Sequence, residues 1–150
     1  MPTMHPRFRD LSRDEIEAIL TRNHIGRLAY AFHDRVGIVP LHYVYAHGWI
    51  YGRTAHGGKL DAITHHRWVA FEVDEVDAPF DWRSVVVHGA IYFLPPDPNE
   101  EELHAFAHGI DLLRRAFPGT LRADDPTPFR NVIFRIHLDE TTGRESSTRT

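Results

Sequence analysis

The sequence predicts a small antiparallel β-barrel of the α+β class. Three observations lead to this prediction: apolar residues alternate with period two over much of the chain, short turns separate the alternating segments, and helical periodicity is confined to three places. Strands and helices do not alternate regularly, which argues against a doubly wound parallel sheet. A chain of 150 residues is long enough for a single domain, residues 1–150, with a substantial core.

The first helix is predicted to begin after residue 12. Ser12 and Glu15 have the spacing of a capping box, and Leu11 and Ile16 have the spacing of a hydrophobic staple. We expect this helix to end between residues 23 and 26. A short helix is predicted around Leu60 and Ile63, and a longer one starts with Asp97 as its cap and Pro98 at its first position.

Six strands are predicted from the alternating segments. Their approximate ranges are 26–32, 36–45, 49–54, 69–73, 84–93 and 132–138. Pro40 lies inside the second strand, where it cannot donate a ladder hydrogen bond, so one side of that strand is expected to be an edge, a bulge or a ligand wall. Residues 1–10 and 145–150 are expected to be loose.

Composition excludes several classes of function. A formal net charge of -4 argues against general binding to nucleic acid or to an anionic membrane. No apolar run approaches the roughly 20 residues that cross a bilayer, and the first residues do not resemble a signal peptide. The absence of cysteine excludes disulfides and thiolate sites. We therefore expect a soluble, cytoplasmic protein.

Twelve histidines raise the question of a metal site. His104 and His108 are four residues apart on the predicted third helix, and Asp111 follows three residues later. These side chains lie off the apolar stripe of the helix, and no further residue lies at a spacing typical of metal ligands. We therefore expect an exposed helix face here and no metal site.

The clearest functional signal is a phosphate-binding pattern at the end of the third strand. Arg53 can offer a bidentate fork, Thr54 a hydroxyl and Lys59 a point charge, and we expect these side chains to face one pocket. Gly57 and Gly58 let backbone amides approach an anion. A surface turn with solvated basic residues is the competing interpretation. The patterns of a Walker loop and of a Rossmann fingerprint are both absent.

Two further segments are candidates for contact with a ligand. Val39, Pro40, Leu41 and His42 could form a wall against a flat ring, although an ordinary edge strand with a bulge has the same pattern. Ser84 is a candidate donor at the start of the longest strand. It has no base partner that the sequence reveals, so no catalytic residue is identified.

In their order and spacing, several segments together resemble the pyridoxamine 5′-phosphate oxidase-related family of FMN-binding split β-barrels. The resemblance runs from about residue 11 to about residue 144, and it is strongest at 50–59, 69–74 and 82–89. It implies a six-stranded split barrel with a few flanking helices, and a homodimer with FMN at the subunit interface. The residues that it places at the cofactor are Arg53, Thr54 and Lys59 at the phosphate, Val39, Pro40, Leu41 and His42 beside the ring, and Ser84.

The resemblance also bears on activity. It implies a flavoprotein oxidoreductase that acts on a small molecule, with NADH or NADPH as a possible hydride donor. A non-catalytic flavin binder or sensor is the first alternative, and the same fold holding deazaflavin F420 or haem is the second. The chain lacks the Arg- and Trp-rich C-terminal segment that the founding oxidase uses on its vitamin substrate, so oxidation of pyridoxamine phosphate is not expected.

Overall fold

Eight antiparallel strands and two helices are seen in the computed structural model, which describes residues 5–57, 61, 63, 65–94 and 100–149. The strands are β1 (Arg7–Asp10), β2 (Ile25–Phe32), β3 (Arg35–Ala46), β4 (Trp49–Thr54), β5 (Trp68–Ala78), β6 (Asp81–Leu94), β7 (Val132–His137) and β8 (Glu140–Ser147). The helices are α1 (Arg13–Arg22) and α2 (Glu100–Ala116). Residues 61, 63 and 65 are also helical, as the pattern around Ile63 predicts.

Six of the strands close into a ring. The sheet order is β1-β8-β6-β5-β2-β3-β4-β7, and β7 also pairs with β6. Strands β2 to β7 therefore form a closed antiparallel barrel, and they correspond to the six strands predicted from the sequence. The fold class is confirmed. The long strand β6 pairs with β8 along its first half and with β7 at its end.

Strands β1 and β8 were not predicted. Both segments expected to be loose contain strand residues, because Arg7 pairs with Ser147 and Trp82 pairs with Ser146. Strand β8 is held by backbone hydrogen bonds to β6, and β1 is held by backbone hydrogen bonds to β8. The side chains of these two strands give no alternating apolar pattern. Backbone hydrogen bonding to a neighbouring strand therefore stabilises these two strands, although their side chains do not predict them.

Helix α1 begins as the sequence predicts. The hydroxyl of Ser12 accepts a hydrogen bond from the amide of Glu15 at 3.2 Å, and the carboxylate of Glu15 accepts one from the amide of Ser12 at 3.1 Å. Leu11 and Ile16 are both buried, as expected for a staple. The helix contributes Ile16 and its neighbours to the core cluster inside the barrel.

Helix α2 packs on the outside of the barrel. Leu113 on the helix lies in one buried cluster with Leu94 of β6 and Ile133 of β7. Gly109 allows the close approach, since a Cβ there would lie 3.0 Å from the ring of Tyr51. We call Tyr51, Leu94 and Ile133 the covered face. The cap predicted at Asp97 and Pro98 lies outside the described residues.

Within the described part of the chain, no element covers the outer surface of β2 and β3 in this way. Val36 is 84% exposed, Ile38 is 71% exposed and Ile25 is 53% exposed. Pro40 follows on the same side of β3, because alternate residues of a strand face the same way. We call Ile25, Val36, Ile38 and Pro40 the bare face. Its position relative to the end of β4 defines the candidate site.

Candidate functional site

The proposed ring wall lies on β3, and its residues divide between two surfaces. Pro40 and His42 are exposed on the outer side, whereas Leu41 is buried at 3% exposure and Val39 packs against the core. Residues 35–42 pair with β2, while β3 pairs with β4 only through residues 43–46. Pro40 therefore lies where one side of β3 is unpaired, which agrees with the edge predicted from its missing amide hydrogen.

At the end of β4, Arg53 and Thr54 are consecutive strand residues and face opposite surfaces. Arg53 lies on the outer side with Tyr51, and Thr54 is 4% exposed. The expected convergence of these two side chains is therefore not seen. Lys59 and Gly58, the other parts of the pattern, lie outside the described residues.

Arg53 instead forms a buried ion pair with Asp125. The two terminal nitrogens of its guanidinium donate to the two carboxylate oxygens, at 2.5 and 2.8 Å. The side chain of Asp125 is 0% exposed and that of Arg53 is 12% exposed. This fork geometry holds the segment after α2 against the end of β4.

The same pair organises its surroundings through further hydrogen bonds. Arg53 also donates to the hydroxyl of Thr127 at 3.0 Å and to the carbonyl of Arg130 at 3.3 Å. Asp125 accepts from the amides of Leu121 and Thr127, at 2.8 and 2.9 Å. These donors, above all Arg53, hold the pKa of the Asp125 carboxyl well below its usual range. We call residues 117–131 the post-helix loop.

The post-helix loop approaches the ring wall at His42. The ring of Phe117 lies 4.9 Å from that of His42 and 5.7 Å from that of His24, measured between centroids. Burial lowers the pKa of His42, and the nearby charges of Arg130, Arg53 and His24 lower it further. We call His24, His42, Arg53 and Arg130 the cationic corner. Its permanent charges are those of Arg53 and Arg130, and Asp125 offsets that of Arg53.

Ser84 lies across the outer sheet from Pro40. Its hydroxyl donates to the carboxylate of Glu72 at 3.2 Å, and Arg27 lies 3.6 Å from the same carboxylate. Register pairs Pro40 with Arg27 and Arg27 with Glu72. Burial raises the pKa of Glu72, and the adjacent Asp74 raises it further. Ser84, Pro40 and His42 therefore belong to one outer surface with a mixed polar and apolar character.

Sequence reasoning missed Asp125 and Arg130. Asp125 lies 72 positions from its partner Arg53, and no local pattern connects them. The composition of residues 125–130 does contain a signal for local order. Two prolines there restrict the backbone conformation on either side of Thr127. Such a segment is typical of an ordered loop, but its contact with β4 depends on the barrel register.

Two structural searches add negative findings for the described part of the chain. No group of three histidine, aspartate or glutamate side chains is placed to hold a metal ion. Neither described helix combines the length and apolar character required to cross a bilayer.

Comparisons with known proteins agree with this architecture. The family model described as pyridoxamine 5′-phosphate oxidase matches residues 12–145. An uncharacterized protein of Rhizobium meliloti (strain 1021) is 28% identical over 148 residues, covering 91% of this chain and 93% of its own length.

Two solved structures are similar along almost their whole length. An FAD-binding protein of Mesorhizobium loti is 30% identical with a TM-score of 0.76, covering 93% of this chain and 99% of that one. The FAD-binding protein of Mycobacterium smegmatis is 24% identical with a TM-score of 0.66, covering 92% of this chain and 98% of that one, and this second likeness concerns the fold alone. With the six-stranded ring and the matched residues 12–145, these findings show that the chain belongs to the pyridoxamine 5′-phosphate oxidase family.

Proposed function

We propose that this protein is an FMN-binding oxidoreductase that works as a homodimer, with the cofactor between the bare face and the cationic corner. The observation that carries the proposal is the adjacency of these two features. An exposed apolar strip on β3 runs directly into His42, which lies near the guanidinium groups of Arg53 and Arg130. A flat apolar ring with an anionic tail is complementary to such a surface.

The ring would lie against the outer side of β3. Pro40 presents no amide hydrogen, so a ring can contact it without burying an unpaired donor. Val36 and Ile38 extend the apolar surface along the same strand. Ser84 would contact the cofactor from β6, and its hydroxyl can donate or accept a hydrogen bond at the polar edge of the ring.

The phosphate would lie at the end of β4, where the resemblance places Thr54, Lys59 and Arg53. A dianion is stabilised there by positive potential and by charge-assisted hydrogen bonds. Burial lowers the pKa of His42, and the charges of Arg130 and Arg53 lower it further, which indicates that both guanidinium groups lie near this corner. The residues present therefore fit a flavin phosphate.

A second copy of the chain would complete the site. Val36 at 84% and Ile38 at 71% exposure are costly for a monomer in water, because contiguous exposed apolar surface marks an interaction site. Two copies joined by a symmetry axis can bury the same patch on each other. The cofactor would then be enclosed between the subunits, which excludes water from the ring.

When bound, the flavin supplies the redox chemistry by accepting a hydride and passing electrons to an acceptor. The chain's own residues would bind, orient and shield it. A small molecule is the proposed substrate, and a nicotinamide is the proposed hydride donor. The 30% identical relative from Mesorhizobium loti is an FAD-binding protein, which supports a flavin as the ligand.

The visible absorption spectrum of the purified protein, reconstituted with FMN and separately with FAD, tests the proposal. We expect flavin bands, one FMN per protomer and a dimer by light scattering. A Soret band or a deazaflavin band would assign a different cofactor to this fold. A clean monomer that binds neither flavin would overturn the proposal.

Turnover tests the enzymatic part separately. We expect the FMN-loaded dimer to oxidise NADH or NADPH in the presence of an electron acceptor. Stoichiometric FMN binding without bleaching of the flavin by either nucleotide would instead favour a non-catalytic flavin binder. The bound flavin spectrum is the control that makes this second outcome interpretable.

A further inference from the structure

Arg130 lies close to the end of β4. The register pairs Thr54, the last residue of β4, with Val132, the first residue of β7. The chain leaves β4 after Thr54 and enters β7 at Val132, and these two positions are neighbours. Arg130 and residues 55–57 therefore lie at the same end of the barrel. Arg130 also acts electrostatically on His42, whose pKa it lowers. The post-helix loop therefore brings a second arginine to this corner.

Arg53 and Arg130 differ in what their guanidinium groups can still bind. The terminal nitrogens of Arg53 carry four hydrogens, and they face Asp125, Thr127 and the carbonyl of Arg130. Only the Nε hydrogen of Arg53 remains for a ligand. Among the described residues, Arg130 has an aromatic neighbour, Phe129, at 5.8 Å but no ion-pair partner.

We propose that Arg130 is the guanidinium that binds the phosphate of the flavin, and that the Arg53–Asp125 pair is a positioning pair that fixes the post-helix loop carrying it. This inference rests on the proposed function. It assigns to Arg130 the contact that the sequence pattern assigns to Arg53.

The charge of Asp125 supports this division of roles. A phosphate brought to the terminal nitrogens of Arg53 would meet the buried carboxylate of Asp125, and like charges at such distances repel strongly. Separating the pair would leave a buried carboxylate without its counter-ion, which is costly. Arg130 carries no such carboxylate among the described residues, so its charge is available to an incoming anion.

The experiment compares the affinities of FMN and riboflavin, which differ by the phosphate alone. In Arg130→Gln we expect FMN affinity to fall about 10- to 100-fold, as for one lost charge-assisted contact, while riboflavin affinity changes less than about 3-fold. Lys59→Ala is the positive control, and its affinity for FMN should also fall by more than its affinity for riboflavin. An unchanged ratio of FMN to riboflavin affinity in Arg130→Gln would overturn the assignment.

Asp125→Asn tests the role of the pair through the sign of its effect. If the pair positions the loop, this variant weakens FMN and lowers the protection of the Leu121 and Thr127 amides from hydrogen exchange. If Arg53 itself binds phosphate, removal of the competing carboxylate strengthens FMN binding, and the inference is wrong. Asp111→Asn, which breaks an exposed ion pair with Arg115 on α2, is the matched control.

Failure of the proposed function can be distinguished from failure of this inference. If wild-type protein binds no flavin, inorganic phosphate is titrated instead, with the imidazole resonances of His42 as the readout. The inference then requires phosphate to raise the pKa of His42 in the wild type but not in Arg130→Gln. Equal responses in the two proteins, or no response in the wild type, would contradict it.

Discussion

The covered face and the bare face are two outer surfaces of the same barrel, and both are apolar. On the covered face, Tyr51 is 3% exposed and Ile133 is 0% exposed, because α2 lies across them. On the bare face, Val36 and Ile38 stay 84% and 71% exposed. Among the described residues, α2 covers the first of these surfaces, and no element covers the second.

The difference shows where stability and function are separated in this molecule. Burial of large apolar side chains under α2 stabilises the folded chain by roughly 1.5–3 kcal/mol for each fully buried residue. The bare face contributes little to that stability, because its side chains remain in water. The proposed function accounts for its apolar character through binding, and three experiments test this contrast.

The largest effect is expected from a charge placed on the bare face. Ile38→Asp should weaken dimerisation at least about 1000-fold, because the new carboxylate would be desolvated at the proposed interface. Light scattering and sedimentation measure the change, while circular dichroism checks that the monomer stays folded. Leu103→Asp is the matched control, since Leu103 is a 52% exposed apolar residue on α2. Equal dimerisation of both variants and the wild type would remove the bare face from the interface.

A smaller effect is expected from a cavity beneath α2. Leu113 is 1% exposed, so Leu113→Ala should lower the free energy of unfolding by about 3 kcal/mol. Urea denaturation measures this loss. Leu103→Ala on the same helix should change it by less than about 0.5 kcal/mol, because that side chain is half exposed. A similar loss in both variants would mean that α2 does not cover the barrel as described.

The smallest effect, about 2 kcal/mol at pH 7, is expected for Asp125→Asn at the boundary between the two faces. The pKa of the Asp125 carboxyl is lowered on folding from its usual 3.8, chiefly by Arg53. The stabilisation is therefore fully present above the unfolded pKa and is lost as pH falls below it towards the folded value. Urea denaturation at pH 7 and at pH 3 should show the difference between wild type and variant shrinking. A constant difference would mean that another group accounts for the loss.

The elements that could be predicted from the sequence are those whose signal is local. The capping box at Ser12 and the alternating core positions of the barrel strands depend on neighbours a few residues away, and the structure contains them. Strand β8 has too few apolar residues to show an alternating pattern, since it is held through backbone hydrogen bonds to β6. A strand that is held by backbone hydrogen bonds to a neighbouring strand cannot be predicted from the periodicity of its side chains.

The candidate site shows the same division. The edge at Pro40 follows from the chemistry of one residue, and the structure has that edge. The partner of Arg53 could not be predicted, because Asp125 reaches it only after α2 and the post-helix loop have folded against the barrel. Which arginine is available to an anion is therefore a tertiary property, although both arginines are visible in the sequence.

The pairing of β1 with β8 has a consequence for how the molecule is made. Residues 7–10 find their hydrogen-bonding partners at residues 144–147, so they remain without them throughout translation until that distant stretch has left the ribosome. Contacts between segments so far apart in sequence form late and slow folding, because a long loop must close first. The barrel ring can close earlier, and the two outer strands would then be added as the final step of assembly.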